Sequence, residues 1–172
     1  MIDKNKFNQI KEKYTKTYPV DVIGLANELG IAVYSTKIEN DKVSGYISKD
    51  GEGYYICVNK KHPATRQHFT IAHEIGHYLL HKKILDAGGI LPTTYKIGDG
   101  INPCMPRANQ ANPEYKKMEI EANRFAAELL MPKAEFIKKA NECEDLVELA
   151  RAFKVSVGAA SIRANSLGIE II

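Results

Sequence analysis

Cysteine is scarce in this chain: Cys57, Cys104 and Cys143 are far apart and form no C-x-x-C spacing. So odd and scattered a set excludes a disulfide framework and a cysteine-based zinc site, and reads as reduced thiols of a cytosolic protein. An apolar leader is also missing from the opening MIDKNKFNQIKEKY, and no stretch approaches the ~18 consecutive apolar residues of a membrane span. A cytoplasmic location with no membrane partner is expected. Charge of one sign is in short supply too. A formal net charge of +3 is too small to point to nucleic acid, and a modest surplus of lysine serves surface solvation. Internal repeats and low-complexity tracts are absent, which excludes a solenoid.

What is present fits an ordinary globular protein: 44% hydrophobic and 26% charged residues over 172 positions. That length holds one domain with a real core and not two large ones. We read residues 1–172 as one domain. A core carrying a sheet and a metal site spans 20–131, with a long insertion at 84–116, and a helical subdomain follows at 132–172.

Periodicity divides the chain further. Phe7, Ile10 and Tyr14 recur at helical spacing within 2–17, and Val20–Leu29 predicts a second helix stopped by Gly30. Ile31–Tyr34, Val43–Ile47 and Tyr54–Asn59 are β-branched or aromatic runs punctuated by Asn40-Asp41 and Asp50-Gly51, which predicts an antiparallel meander. Small and apolar residues crowd 63–83, behind Pro63 at a first-turn position, as in a buried central helix. Residues 84–116 hold four glycines and four prolines with no sustained period, a composition typical of functional or mobile segments. Helices are expected again at Tyr115–Met131, Ala134–Asn141, Asp145–Phe153 and Ser156–Asn165. The fold class is α+β.

The chemistry sits in His73-Glu74-Ile75-Gly76-His77, an H-E-x-x-H on the central helix. Residues four apart share a helix face about 6 Å apart along the axis, so two imidazoles can converge on one ion. The glutamate between them is placed to take a proton from water activated by that ion. Unpaired imidazoles would be costly to bury in so apolar a helix. His81 continues the stripe, but on a straight helix it lies about 12 Å along the axis from His73, too far to share the ion. We expect it at the surface or supporting the site from behind. His68 is similarly unpromising as a ligand.

A catalytic zinc needs three protein ligands and an open position. The third is expected from another segment, and the acidic candidates are Glu119 and Glu121. At about 100° per residue, Met118, Ala122, Phe125, Ala126, Leu129 and Leu130 form one apolar face. Glu119 borders that face, whereas Glu121 falls near Arg124 and Glu128 on the wet side. Glu119 is preferred as the ligand, with Glu121 left open. Asn123, one turn after Glu119, is either a support for the second nitrogen of a zinc-bound histidine or a polar boundary residue.

FTIAHEIGHYLLH, then ExEANRFAAELLMP, then LARAFKVSVGAASIRANSLGI together resemble the ImmA/IrrE family of zinc metallopeptidases over about residues 20–172. The resemblance implies a zincin-like fold: a small antiparallel-rich sheet packed with the H-E-x-x-H helix, and a C-terminal helical region. It also implies Zn2+ on His73, His77 and the helix glutamate, with Glu74 as general base in peptide hydrolysis. The implied protein substrate is a helix-turn-helix transcriptional repressor, cut at a specific site. The stretch from His77 to Glu119 is longer than is usual in the family, which marks 84–116 as an insertion that shields or gates the cleft. An oxyanion donor is also required, with Tyr46, Tyr95, Tyr115 and Arg163 as candidates.

Two rival readings stand beside this one. Leu149-Ala150, Val155-Ser156 and Leu167-Gly168 have the rhythm of a helix-turn-helix, as in a DNA-binding regulator. Direct nucleic-acid binding is not expected, because Ser156–Asn165 carries one basic residue, Arg163, and the preceding stretch carries Glu142, Glu144, Asp145 and Glu148. The other rival is a sensor or partner-binding module, with Cys104 as an inhibitory fourth ligand of the metal.

Overall fold

The computed structural model describes residues 4–51, 53–87, 91–93 and 113–170. The chain begins with two helices, α1 (Lys4–Tyr14) and α2 (Val22–Glu28), followed by β1 (Ile31–Thr36), β2 (Gly45–Asp50) and β3 (Gly53–Asn59). The central helix α3 (Ala64–Leu80), the short α4 (Lys82–Asp86) and β4 (Leu91–Thr93) come next. The described chain closes with α5 (Pro113–Leu130), α6 (Lys133–Ala140), α7 (Leu146–Ala152) and α8 (Val157–Leu167). The fold is α+β, and no described helix is long and apolar enough to cross a membrane.

Local chemistry sets most of these boundaries. The Asp21 carboxylate accepts from the Gly24 backbone N–H and caps α2, and Gly30, at φ 78°, turns the chain out of the helix into β1. Asp145 and Ser156 cap α7 and α8 in the same way, and Gly168 at φ 68° ends α8. Lys13 and Tyr14 both donate to the Glu28 carboxylate, at 2.6 and 2.7 Å, and fasten α1 onto α2.

The four strands lie in the order β1-β3-β2-β4. β2 runs antiparallel to both β3 and β4, so the sheet is antiparallel-rich. The expected meander is not what forms, however, because β1 lies parallel to β3, with Ile31 opposite Tyr54 and Thr36 opposite Asn59. The connection from β1 to β2 must therefore cross the end of β3. Asn59, fully buried there, holds it: its Nδ2 donates to Val43 O at 3.1 Å and its backbone N–H donates to Ser44 O at 2.8 Å. Those bonds satisfy backbone groups that a crossing loop would otherwise bury unpaired.

α3 crosses the sheet and packs along α5. Ile47 and Ile56 from the sheet, Ile71 and Ile75 from α3, and Leu129 and Leu130 from α5 form one buried cluster. The C-terminal helices join the same core through Phe136 and Phe153, whose rings stack at 5.5 Å. Burying each such ring contributes about 1.5–3 kcal/mol. His68, on the first turns of α3, ties distant segments together. Its two ring nitrogens face Val20 O at 2.8 Å and Lys154 O at 3.1 Å; the neutral ring donates to one of these carbonyls and packs against the other, so it sits between the entry to α2 and the turn before α8.

Candidate metal centre

α3 buries its polar stripe rather than exposing it. His73, Glu74 and His77 are all fully inaccessible, although each would be costly to desolvate without partners. The helical repeat brings the two imidazoles together as the spacing predicts, with ring centroids 4.6 Å apart and the two Nε2 atoms 2.9 Å apart.

α5 supplies the carboxylate. Ala122 and Ala126 are fully buried, and with Leu129 and Leu130 they form the face that the 100° period marks. Glu119, one turn before Asn123, reaches across with its Oε1 3.0 Å from His77 Nε2 and its Oε2 3.6 Å from His73 Nε2. His73, His77 and Glu119 thus offer three ligand atoms within 4.8 Å of one another. Glu121 is not part of this group. Its Oε2 lies 3.0 Å from His81 Nε2, and that bond holds the Glu121 carboxyl below the ordinary carboxylate range.

The far side of each imidazole is also held. His73 Nδ1 lies 2.9 Å from Asn123 Oδ1; an amide oxygen only accepts, so Nδ1 carries the proton and Nε2 presents its lone pair inward. His77 Nδ1 lies 3.0 Å from His81 Nδ1. Burial, followed by the neighbouring imidazole, pushes His73 and His77 down to pKa values of about 3, so both are neutral at physiological pH.

This donor set fits a metal ion. Two neutral imidazole lone pairs and a carboxylate oxygen point at one spot, an arrangement that repels itself unless a cation lies between them. Two nitrogens and one oxygen at such spacing suit a borderline divalent ion with a fourth position left over. The Glu119 side chain keeps 21% exposure while both histidine side chains keep none, so solvent approaches the cluster from the glutamate side.

The other sequence candidates lie elsewhere. Arg163 donates through Nε to Met131 O at 2.9 Å and pairs with Glu128, anchoring α8 to the end of α5. Tyr46 is committed to the sheet: its bond to the Cys57 thiol and its burial push its pKa up to about 12. Tyr115 lies on α5 one turn before Glu119 and packs partly buried against the core. Cys57 and Cys143 are free thiols. Tyr95, Cys104 and residues 88–90 and 94–112 of the 84–116 segment lie outside the described residues.

Of the two places expected for His81, the surface and a position behind the site, it takes the second. It is buried, 8% exposed, behind His77. α3 ends at Leu80, and His81 leaves helical geometry at φ −123°, ψ 24°, a break that no periodicity reveals.

Comparison with known proteins agrees with this geometry. No curated protein matches the chain. A family model of peptidases, described as the IrrE N-terminal-like domain, matches residues 26–165, which takes in the sheet, α3, Glu119 and almost all of α8. The chain belongs to the ImmA/IrrE family of metallopeptidases.

Proposed function

We propose that the protein is a zinc-dependent endopeptidase, with His73, His77 and Glu119 holding the ion and Glu74 acting as general base. The observation that carries this reading is the convergence of three ligand atoms from two helices within 4.8 Å, on the helix that buries Glu74. When bound, a zinc ion supplies Lewis acidity, lowering the pKa of water toward neutrality and polarising a carbonyl. The chain's own groups do the rest. Asn123 fixes the tautomer of His73, and the neutral imidazoles keep their lone pairs directed inward. Glu74, next to His73 in the sequence, takes the proton from the attacking water and delivers it to the leaving amine.

The substrate we infer is a protein, specifically a helix-turn-helix transcriptional repressor cut at one site. Family membership and the three sequence segments that resemble ImmA/IrrE proteins support this. The C-terminal helices are better suited to packing than to DNA, since the one cation of α8, Arg163, is engaged by Glu128 and Met131 O. The test is to incubate the purified protein with zinc and the repressor encoded beside its gene. A single cleavage product is expected from the wild type, and none from Glu74→Gln loaded with the same amount of zinc. Cleavage by Glu74→Gln at the wild-type rate would refute the assignment of the base.

A further inference from the structure

The His77 side of the site is backed by a second histidine and then by a surface carboxylate. His77 Nδ1 meets His81 Nδ1 at 3.0 Å, and His81 Nε2 meets Glu121 Oε2 at 3.0 Å. Only one protonation pattern serves a ligand at His77 Nε2. That atom must keep its lone pair, so His77 Nδ1 carries the hydrogen and donates to His81 Nδ1. His81 must then carry its hydrogen on Nε2 and donate to Glu121, which as a carboxylate only accepts. The chain of bonds has one direction, from the ion's position outward to Glu121.

We propose that His81 and Glu121 are positioning residues that set the tautomer and orientation of His77 for the metal, with Glu121 acting only through His81. The proposal rests on His77 being a ligand, as argued above. Three further observations fit it. His81 is 8% exposed although its ring is polar, so it occupies a place built for it. The backbone break between α3 and α4, where His81 N–H still donates to His77 O at 2.8 Å, falls at the residue whose ring turns back onto His77. Glu121 lies on the same helix as Glu119, so α5 delivers both a ligand and the terminus of the support behind another ligand. Groups that orient a metal-bound histidine in this way typically change metal affinity by about 10–100-fold when removed.

The test measures zinc affinity of the metal-free protein by competition with a chromophoric chelator, alongside the unfolding temperature of the metal-free form. His81→Ala should weaken zinc binding by about 10–100-fold. His81→Gln, whose amide oxygen can still accept from His77 Nδ1, should recover most of that loss. Glu121→Ala changes a half-exposed side chain and leaves the fold intact, so it serves even if His81→Ala does not fold; it should weaken binding several-fold on its own. In the His81→Ala background the same change should cost nothing more, because its route to the metal is gone. A carboxylate acting through space would instead weaken binding equally in both backgrounds, and that result overturns the relay. Zinc affinity of Glu121→Ala or His81→Ala within twofold of wild type also overturns it, while the wild type's own tight binding leaves the metal site standing. If the wild type binds no zinc, both the relay and the metal site fall.

Discussion

A β-carbon placed on Gly76 would stand 3.3 Å from both the Cα and the carbonyl oxygen of Ala122, and 3.0 Å from the Phe125 ring. α3 and α5 therefore cross almost backbone to backbone at the centre of the histidine motif. The glycine is needed for close approach, not for an unusual φ. That crossing brings Glu119, one turn before Ala122, within reach of two imidazoles on the neighbouring helix.

Gly76→Ala should push the helices apart. We expect a loss of about 1–3 kcal/mol in stability, the usual cost of overpacking a tight core. Zinc affinity should fall as well, because the carboxylate is displaced while all three ligands remain. Denaturant unfolding and chelator competition on the same variant measure both. Unchanged stability together with unchanged affinity would show that the crossing tolerates a methyl group.

His68 gives the fold a pH dependence of definite sign. Burial outweighs its two carbonyl partners and holds it below its ordinary pKa of 6.5. As pH falls past that value the unfolded chain takes up a proton that the folded chain resists. The stability contributed by neutral His68 is thus complete above about pH 6.5 and is lost as pH falls through the folded value. Asp21 and Lys154 are the charged groups acting on the ring, and they oppose one another. Urea unfolding of the metal-free protein at pH 7.5 and pH 5 should show a smaller drop for His68→Gln than for wild type. Equal drops would remove His68 from the account.

Asn59→Ala should destabilise the protein by about 1–3 kcal/mol, since it leaves the buried Val43 carbonyl without its donor. The effect should appear in stability and not in zinc affinity, because Asn59 holds the sheet crossover and no part of the metal cluster. A change in affinity with stability intact would mean that the crossover contributes to the site.

The parts of the fold and site that could be read from sequence are those governed by local periodicity. The apolar stripe Ala122, Phe125, Ala126, Leu129 fixes which side of α5 faces inward, and it favoured Glu119 over Glu121 for the position in which the structure places it. The β-branched and aromatic runs mark β1, β2 and β3 as strands, but the meander they suggest is not how the strands pair. Their pairing depends on where the 37–44 connection crosses, and that depends on one buried asparagine whose partners are up to 21 residues away. The place of His68 between two distant segments is not legible in the sequence, since its partners lie 48 and 86 residues away. Periodicity alone continues α3 straight through His81, and the chain leaves helical geometry at that residue.

The most direct measurement is the metal content of the purified protein and of variants at the three convergent side chains, by mass spectrometry under native conditions with elemental analysis. One zinc ion per chain is predicted for the wild type, with sharply reduced occupancy in His73→Ala, His77→Ala and Glu119→Ala. A wild type that holds no stoichiometric metal, or an undiminished ion in the Glu119→Ala variant, would contradict the assignment.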